Sequence, residues 1–335
     1  MRVLVIGGSR FMGRRLVWRL LARGDQVSLL NRGLTPDPFG SRVERLRADR
    51  TRPGFTDPIA GRDFDAVVDF GAFTGADVAP LAEALAGRIG HFVLISTGQV
   101  YLVRTTGRLP SREEDYPGET LPEPEDPDDR EEWRYGMGKR ECEDALSVAW
   151  ESQGFPFTSL RLPMVDGEGD HRRRLEAYLW RLLDGGPVIV PDGEGPPVRH
   201  VYSGAVAETL ARLLGREETR GRAYNLCQDE MPPLAAFLGE LADRLGAPRR
   251  LIPVPSAALR EAGLEPHVVS PFSVRWMSLL DPSRARVELG FRHDPMGSVL
   301  DRIVAAFLAH TPATPPESYA RRGEELALAA RYSAE

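Results

Sequence analysis

The run Val3-Leu4-Val5-Ile6-Gly7-Gly8-Ser9-Arg10-Phe11-Met12-Gly13 passes from four apolar residues, through a pair of glycines, into a segment whose apolar positions recur with helical spacing over residues 11–22. This pattern predicts a strand that turns directly into a helix. Glycines at such a turn let the backbone approach a ligand closely. The first turn of the helix adds free N–H groups and a partial positive charge, a combination suited to a pyrophosphate. Residues 26–30 are strand-like again and complete a β-α-β unit. Working outward, strands are predicted over 43–46, 65–70 and 91–95 and a helix over 77–86. Apolar strands that alternate with helices indicate a parallel sheet covered on both faces. The expected fold class is α/β, a doubly wound parallel sheet with a smaller C-terminal lobe.

Residues 103–133 are rich in Pro, Glu, Asp, Gly and Arg, with Leu121-Pro122-Glu123-Pro124-Glu125-Asp126-Pro127-Asp128-Asp129 at their centre. A solvated loop or lid without helix is expected there. Then follow a predicted helix over 132–153, a strand over 157–162, a helix over 172–183, strands over 188–190 and 198–202, a helix over 205–214 and a strand over 223–226. Further helices are expected over 234–245, 282–288 and 296–309. The expected domains are 1–162, built on the sheet, and 163–335, a substrate lobe interleaved with the last strands.

The 335 residues are 42% hydrophobic and 27% charged, with a formal charge of −6. That balance belongs to ordinary globular proteins and carries no electrostatic footprint for nucleic acid. No apolar run reaches the length of a membrane span, and no secretory leader is read at the start, so a cytoplasmic location and no membrane partner are expected. Cys142 and Cys227 are too few for a disulfide scaffold, and the six histidines show no ligand spacing, so no metal is expected.

Of the 43 basic residues 42 are arginine, and the single lysine is Lys139. It ends the run Tyr135-Gly136-Met137-Gly138-Lys139. Positions i and i+4 of a helix share a face, so phenol and ammonium project together. With 8 tyrosines in the chain, chance gives that spacing about 1 time in 40. A nearby cation lowers a phenol pKa, which would let Tyr135 transfer a proton near neutral pH while Lys139 also holds a ribose hydroxyl. Ser96-Thr97-Gly98-Gln99 follows a predicted strand, at the sheet edge where doubly wound folds bind ligands, and a hydroxyl there can hold a substrate oxygen. At the end of the second strand, where a carboxylate would accept from ribose hydroxyls, stand Asn31-Arg32-Gly33. Arg10 and Arg32 can instead pair with a 2'-phosphate, which leans toward NADP over NAD. Asp49 is a candidate acceptor for an adenine amino group. His200 beside Arg199 could contact an anionic substrate.

Together, the glycine turn, the hydroxyl pair before Tyr101 and Tyr135-x-x-x-Lys139 resemble the extended and atypical short-chain dehydrogenase/reductase superfamily, the NAD-dependent epimerase/dehydratase group with a Rossmann fold. Arg161-Leu162-Pro163, Arg199-His200-Val201, Tyr224-Asn225-Leu226, Asp281-Pro282-Ser283-Arg284-Ala285 and Leu289-Gly290-Phe291 extend the likeness over nearly the whole chain. The resemblance implies Thr97, Tyr135 and Lys139 as catalytic residues, with Gly7, Gly13, Arg32 and Asp49 on the cofactor. Expected beside these on the cofactor are Ser9, Arg10, Phe11, Met12, Asn31, Arg50, Gly71, Lys139 and Pro163. Thr97, Gln99 and Arg199 are expected on the substrate. Dehydratases of the group place Asp-Glu after the Thr; Gly98-Gln99 cannot exchange protons, so the resemblance disfavours dehydration. Met164 stands where many sugar-nucleotide members carry an Asn. The reading that follows is an NAD(P)-dependent epimerase acting on a sugar or sugar nucleotide. A keto reductase and a non-catalytic nucleotide- or RNA-binding member stay open, and a homodimer is common in the superfamily.

Overall fold

The computed structural model describes residues 1–333. The chain forms two compact units, one of Met1–Val165, Ser203–Cys227 and Leu280–Arg292, the other of the remaining described residues from Asp166 onward. No helix among the described residues is long and apolar enough to cross a membrane.

The first unit is built on strands β1 (Arg2–Ile6), β2 (Gln26–Asn31), β3 (Val43–Arg47), β4 (Ala66–Asp69), β5 (Phe92–Thr97) and β6 (Phe157–Leu162), with Arg222–Asn225 on the edge beside β6. The order is (222–225)-β6-β5-β4-β1-β2-β3, seven strands in all. Every pairing is parallel, with Ile6 level with both Leu30 and Asp69 and Thr97 level with Leu162. The chain runs outward from β1 to β3 and then returns to the other side of β1. Such a reversal opens a crevice at the carboxyl ends of the strands.

Burial explains the strand readings. β4, β5 and β6 are buried at every position, as a sheet with helices on both faces requires. Helix α1 (Phe11–Ala22) buries Leu16, Val17 and Leu20. Helices α2 (Gly75–Leu85) and α4 (Pro127–Gln153) pack against one another, and Leu81, Leu85 and Leu146 join a core with Leu4, Phe92 and Phe157. Each such side chain contributes roughly 1.5–3 kcal/mol of burial. The short helix α3 (Gln99–Leu102) follows β5 directly.

Three expectations need correction. Helix α4 begins at Pro127, five residues before 132, inside the stretch read as unable to hold helix. Asp126 caps it by accepting from the Asp128 and Asp129 N–H groups at 3.0 Å each. Pro127 sits at the first position, where its missing N–H is harmless, and Asp128 and Asp129 favour the positive end. The acidic loop is not solvated throughout, since Glu113 is buried. Ser96 and Thr97 lie within β5 as its last two residues rather than after it, so their side chains leave opposite faces.

In the second unit Val188–Pro191 pairs in parallel with Leu251–Val254, a strand the apolar pattern did not reveal because Pro253 interrupts it. The helix expected from 172 starts at Arg174, because Arg173 is held left-handed at φ 53°. Helix Arg322–Tyr332 was also unread; it supplies Leu328 and Ala329 to a core with Ile189 and Val254, and its Glu325 pairs with the fully buried Arg181 at 2.5 Å.

Candidate active site

All the site candidates except Arg199 belong to the first unit, most of them at or just beyond the carboxyl ends of its strands. At the end of β1, Gly7 adopts φ 84°, and a Cβ on Gly13 would stand 2.8 Å from the Gly8 Cα and 2.9 Å from the Gly7 carbonyl oxygen. The first turn of α1 therefore presses on the glycine turn, a contact only glycine permits. No side chain caps α1, and its first turn holds no acid, which keeps its N-terminal N–H groups available. Phe11 is buried, Met12 and Ser9 are half-buried and Arg10 is exposed.

Asn31, at the end of β2, ties this region together. Its Nδ2 donates to the Ser9 hydroxyl at 3.0 Å, and its Oδ1 accepts from the Gly33 N–H at 2.9 Å and from the Arg47 guanidinium. Gly33 is at φ 78°, and a Cβ there would come within 2.9 Å of Arg47 Nε, so the arginine lies across bare backbone. Arg47, at the end of β3, joins exposed Arg32 at this rim; the sequence reading missed it because only the β2–β3 register brings Asn31 beside Arg47. Asp49 bonds within its own loop, to the Thr51 N–H and hydroxyl, and these bonds, aided by Arg32, lower its pKa. Arg50 turns inward, donating to Asp69 at 2.6 Å and to the Asp77 carbonyl at 2.8 Å, with its guanidinium over the Phe55 ring. Gly71 donates its N–H to the same Asp69 at 2.8 Å. Pro163 is buried at the end of β6.

The other end of the edge is assembled by α4. A Cβ on Gly138 would meet the Phe73 carbonyl oxygen at 2.3 Å, and one on Gly136 would meet Val103 Cγ1 at 2.6 Å and the Gln99 carbonyl oxygen at 3.0 Å. The two glycines between Tyr135 and Lys139 thus let the helix lie on the loop after β4 and on α3. Lys139 is buried and donates to the Ile95 carbonyl at 2.7 Å, two residues before Thr97. Its Nζ lies 5.9 Å from the centre of the half-buried Tyr135 ring and 5.4 Å from that of Phe73. The Thr97 hydroxyl accepts from the Gln99 N–H at 3.3 Å, and the Gln99 side-chain amide donates to Glu132.

Beneath these groups lies a buried charged network. Glu143, one turn beyond Lys139, accepts from Ser96 at 2.5 Å and from Arg161 at 2.6 Å. Arg161 also donates to the Tyr101 hydroxyl at 2.7 Å, which donates to Asn225 Oδ1 at 2.9 Å. Glu113 accepts from the Asn225 N–H at 2.8 Å, and burial raises the pKa of both Glu113 and Tyr101. Glu143 was unread, although its i+4 spacing from Lys139 was visible. Arg199 lies in the second unit, buried, with Nη1 donating to the Asp229 carbonyl at 3.0 Å. His200 in that unit bonds Asp166 through Nδ1 and stacks on Phe237.

The strand order and the glycine-bounded start of α1 place the first unit among Rossmann-like domains. Residues 3–227 match the NAD dependent epimerase/dehydratase family, and the chain belongs to it. It is 28% identical over 241 residues to the chloroplast stem-loop binding protein of 41 kDa b of Arabidopsis thaliana, a match covering 67% of this chain and 58% of that relative, less than two thirds of its length. It is 26% identical to the 2'-dehydrokanamycin reductase of Streptomyces kanamyceticus, over 76% of this chain and 70% of the other. Among solved structures, the UDP-glucose 4-epimerase of Thermotoga maritima with UDP-glucose superposes with a TM-score of 0.73 at 18% identity, covering 93% of this chain and all of that one, a likeness of fold.

Proposed function

We propose that this chain moves hydride between a carbinol carbon of a sugar or sugar nucleotide and bound NADP or NAD, as an epimerase. The observation that carries the reading is that Lys139, the single lysine, is buried between Tyr135 and the strand that ends in Thr97, donating to Ile95 at 2.7 Å. The residues present fit the cofactor. The uncapped start of α1 and the bare Gly7–Gly13 contact suit a pyrophosphate, and Arg32 and Arg47, with no carboxylate at the end of β2, suit a 2'-phosphate and favour NADP. When bound, the nicotinamide supplies the redox step.

The protein supplies position and proton transfer. The Thr97 oxygen already accepts from Gln99, which leaves its own proton to donate to the substrate oxygen. Tyr135 takes or returns the hydroxyl proton. Lys139 spends one N–H on Ile95 and keeps two for the phenol and a ribose hydroxyl. Dehydration stays disfavoured, with Gly98-Gln99 after Thr97.

A keto reductase is the second reading, favoured by the likeness to 2'-dehydrokanamycin reductase. A nucleic-acid-binding reading, suggested by the stem-loop binding in the plant relative's name, is opposed by the formal charge of −6; no binding to a stem-loop RNA at low salt is expected. With UDP-glucose and a panel of keto sugars as probes, Tyr135→Phe is expected to lower turnover by about 10²–10⁴-fold with unchanged nucleotide affinity. Full turnover in that variant overturns the assignment. A nucleotide, NAD or NADP, that leaves the purified protein only on denaturation points to the epimerase, whereas protein purified with an empty site that fills on adding NADPH points to the reductase.

A further inference from the structure

A cleft of about 270 Å³ opens within the first unit at the end of the sheet opposite Thr97. It lies between the turn that enters β5, the turn that enters β6 and Arg220, so the six residues of β5, roughly 17–20 Å of strand, separate it from the threonine. Ile89, Phe155 and Pro156 line it with apolar surface, and the Trp150 indole, 39% exposed, joins them. A Cβ on Gly221 would stand 2.8 Å from Trp150 Nε1, so the indole is packed against bare backbone next to Arg220. A Cβ on Gly87 or Gly154 would meet nothing within 4 Å, which leaves the mouth of the cleft open. Arg220 is the charged residue of this lining, and it is poorly paired. Its ion pair among the described residues runs from Nη1 to Glu217 Oε1 at 3.2 Å, a carboxylate 78% exposed, and its Nε is buried without a hydrogen-bond partner. A solvated partner of that kind compensates little of a guanidinium's charge. His91, the residue before β5, registers the excess: after burial, Arg220 is the next cause that lowers its pKa.

We propose that this cleft binds a small aromatic carboxylate, with the ring against Trp150 and the carboxylate on Arg220. The lining fixes that class. A planar guanidinium short of acceptors is matched by a planar carboxylate, and the apolar surface with its flat indole is matched by an aromatic ring. The cleft also adjoins the carboxyl ends of α2 and α4, whose last carbonyls carry partial negative charge. They hold a single negative charge to the Arg220 side and oppose a dianion such as phosphate. The volume accommodates one ring and its substituent rather than a nucleotide. An occupant here competes with no ligand at the carboxyl ends of the strands, so the site stands apart from the hydride-transfer reading. It joins the last turn of α4, the helix that carries Tyr135 and Lys139, to the entry of β5, and binding there adds to the stability of the fold.

The probes are benzoate, the neutral benzamide and inorganic phosphate, each titrated into full-length protein labelled with nitrogen-15. The 5 tryptophans give indole N–H resonances, and that of Trp150 is the one lost in Trp150→Phe. Benzoate is expected to move this resonance saturably, with half-saturation at about 1–10 mM for so small a ligand. Benzamide, which lacks the charge for Arg220, is expected to bind at least about tenfold more weakly, and so is phosphate, which lacks the ring. Arg220→Gln is expected to bring benzoate to within about twofold of benzamide. No movement up to about 50 mM benzoate, an equal response to benzamide, phosphate binding as tight as that of benzoate, or an undiminished preference in Arg220→Gln overturns the inference. The three probes are compared on the unaltered protein, so that part of the result does not depend on how a variant folds.

Discussion

The two ends of the sheet edge are built by opposite means. Around β1, β2 and β3 the chain presents bare backbone and exposed arginines: Gly7 and Gly13 in contact, an uncapped helix, Arg32 and Arg47 at the rim. Around β5, β6 and α4 it buries its charges, with Lys139, Glu143 and Arg161 each at most 4% exposed. A surface that must accept and release a charged ligand is served by groups already in water. A surface that must hold a phenol, a hydroxyl and an ammonium in fixed register is served by groups that pay heavily for moving.

The largest test of that contrast is Glu143→Ala. It strands Arg161 and Ser96 without their carboxylate and is expected to cost about 3–5 kcal/mol in urea unfolding. A cost under about 1 kcal/mol would mean that the network is as dispensable as a surface pair.

His91, just before β5 at the opposite end from Thr97, provides a buried polar group outside the site. Its Nδ1 accepts from the Gly215 N–H at 3.3 Å, so Nε2 carries the proton and faces the Thr158 hydroxyl at 2.8 Å. Burial first, then the nearby Arg220, lowers its pKa from 6.5 to about 4. The unfolded chain therefore binds the extra proton between those values and the native state does not, so stability falls as pH drops from 6.5 to about 4. The loss from this one group reaches about 3 kcal/mol. His91→Gln is expected to flatten that part of the profile in urea titrations across the window; an unchanged slope would show that the ring is already charged in the fold.

At the exposed rim the expected effect is smaller. Arg32→Ala combined with Arg47→Ala is expected to weaken NADPH by about tenfold and leave NADH within about twofold, measured by fluorescence titration. Equal losses for both would show that these arginines do not read the 2'-phosphate.

The contrast also explains what could be read in advance. The glycine turn, the strand after it and Tyr135-x-x-x-Lys139 are local, and one turn of helix or one strand ending suffices to recognise them. The start of α4 was misread because prolines and acids between 121 and 129 resemble a loop, when Asp126 and Pro127 are the cap and first residue of a helix. Arg47, Glu132 and Glu143 escaped because each meets its partner across elements: Arg47 meets Asn31 through the β2–β3 pairing, Glu132 meets Gln99 across α4 and α3, and Glu143 meets Arg161 across 18 residues.

By itself, then, the amino-acid sequence determined the doubly wound sheet, the place of the glycine turn and the shared helix face of Tyr135 and Lys139, because apolar period and residue spacing act within a few positions of the chain. Tertiary packing alone decided which arginines reach the rim, which carboxylate holds Gln99 and which charges lie buried beneath Thr97. Those choices depend on close approach at Gly33, Gly136 and Gly138, and a missing side chain says nothing of what will lie against it until the elements are packed.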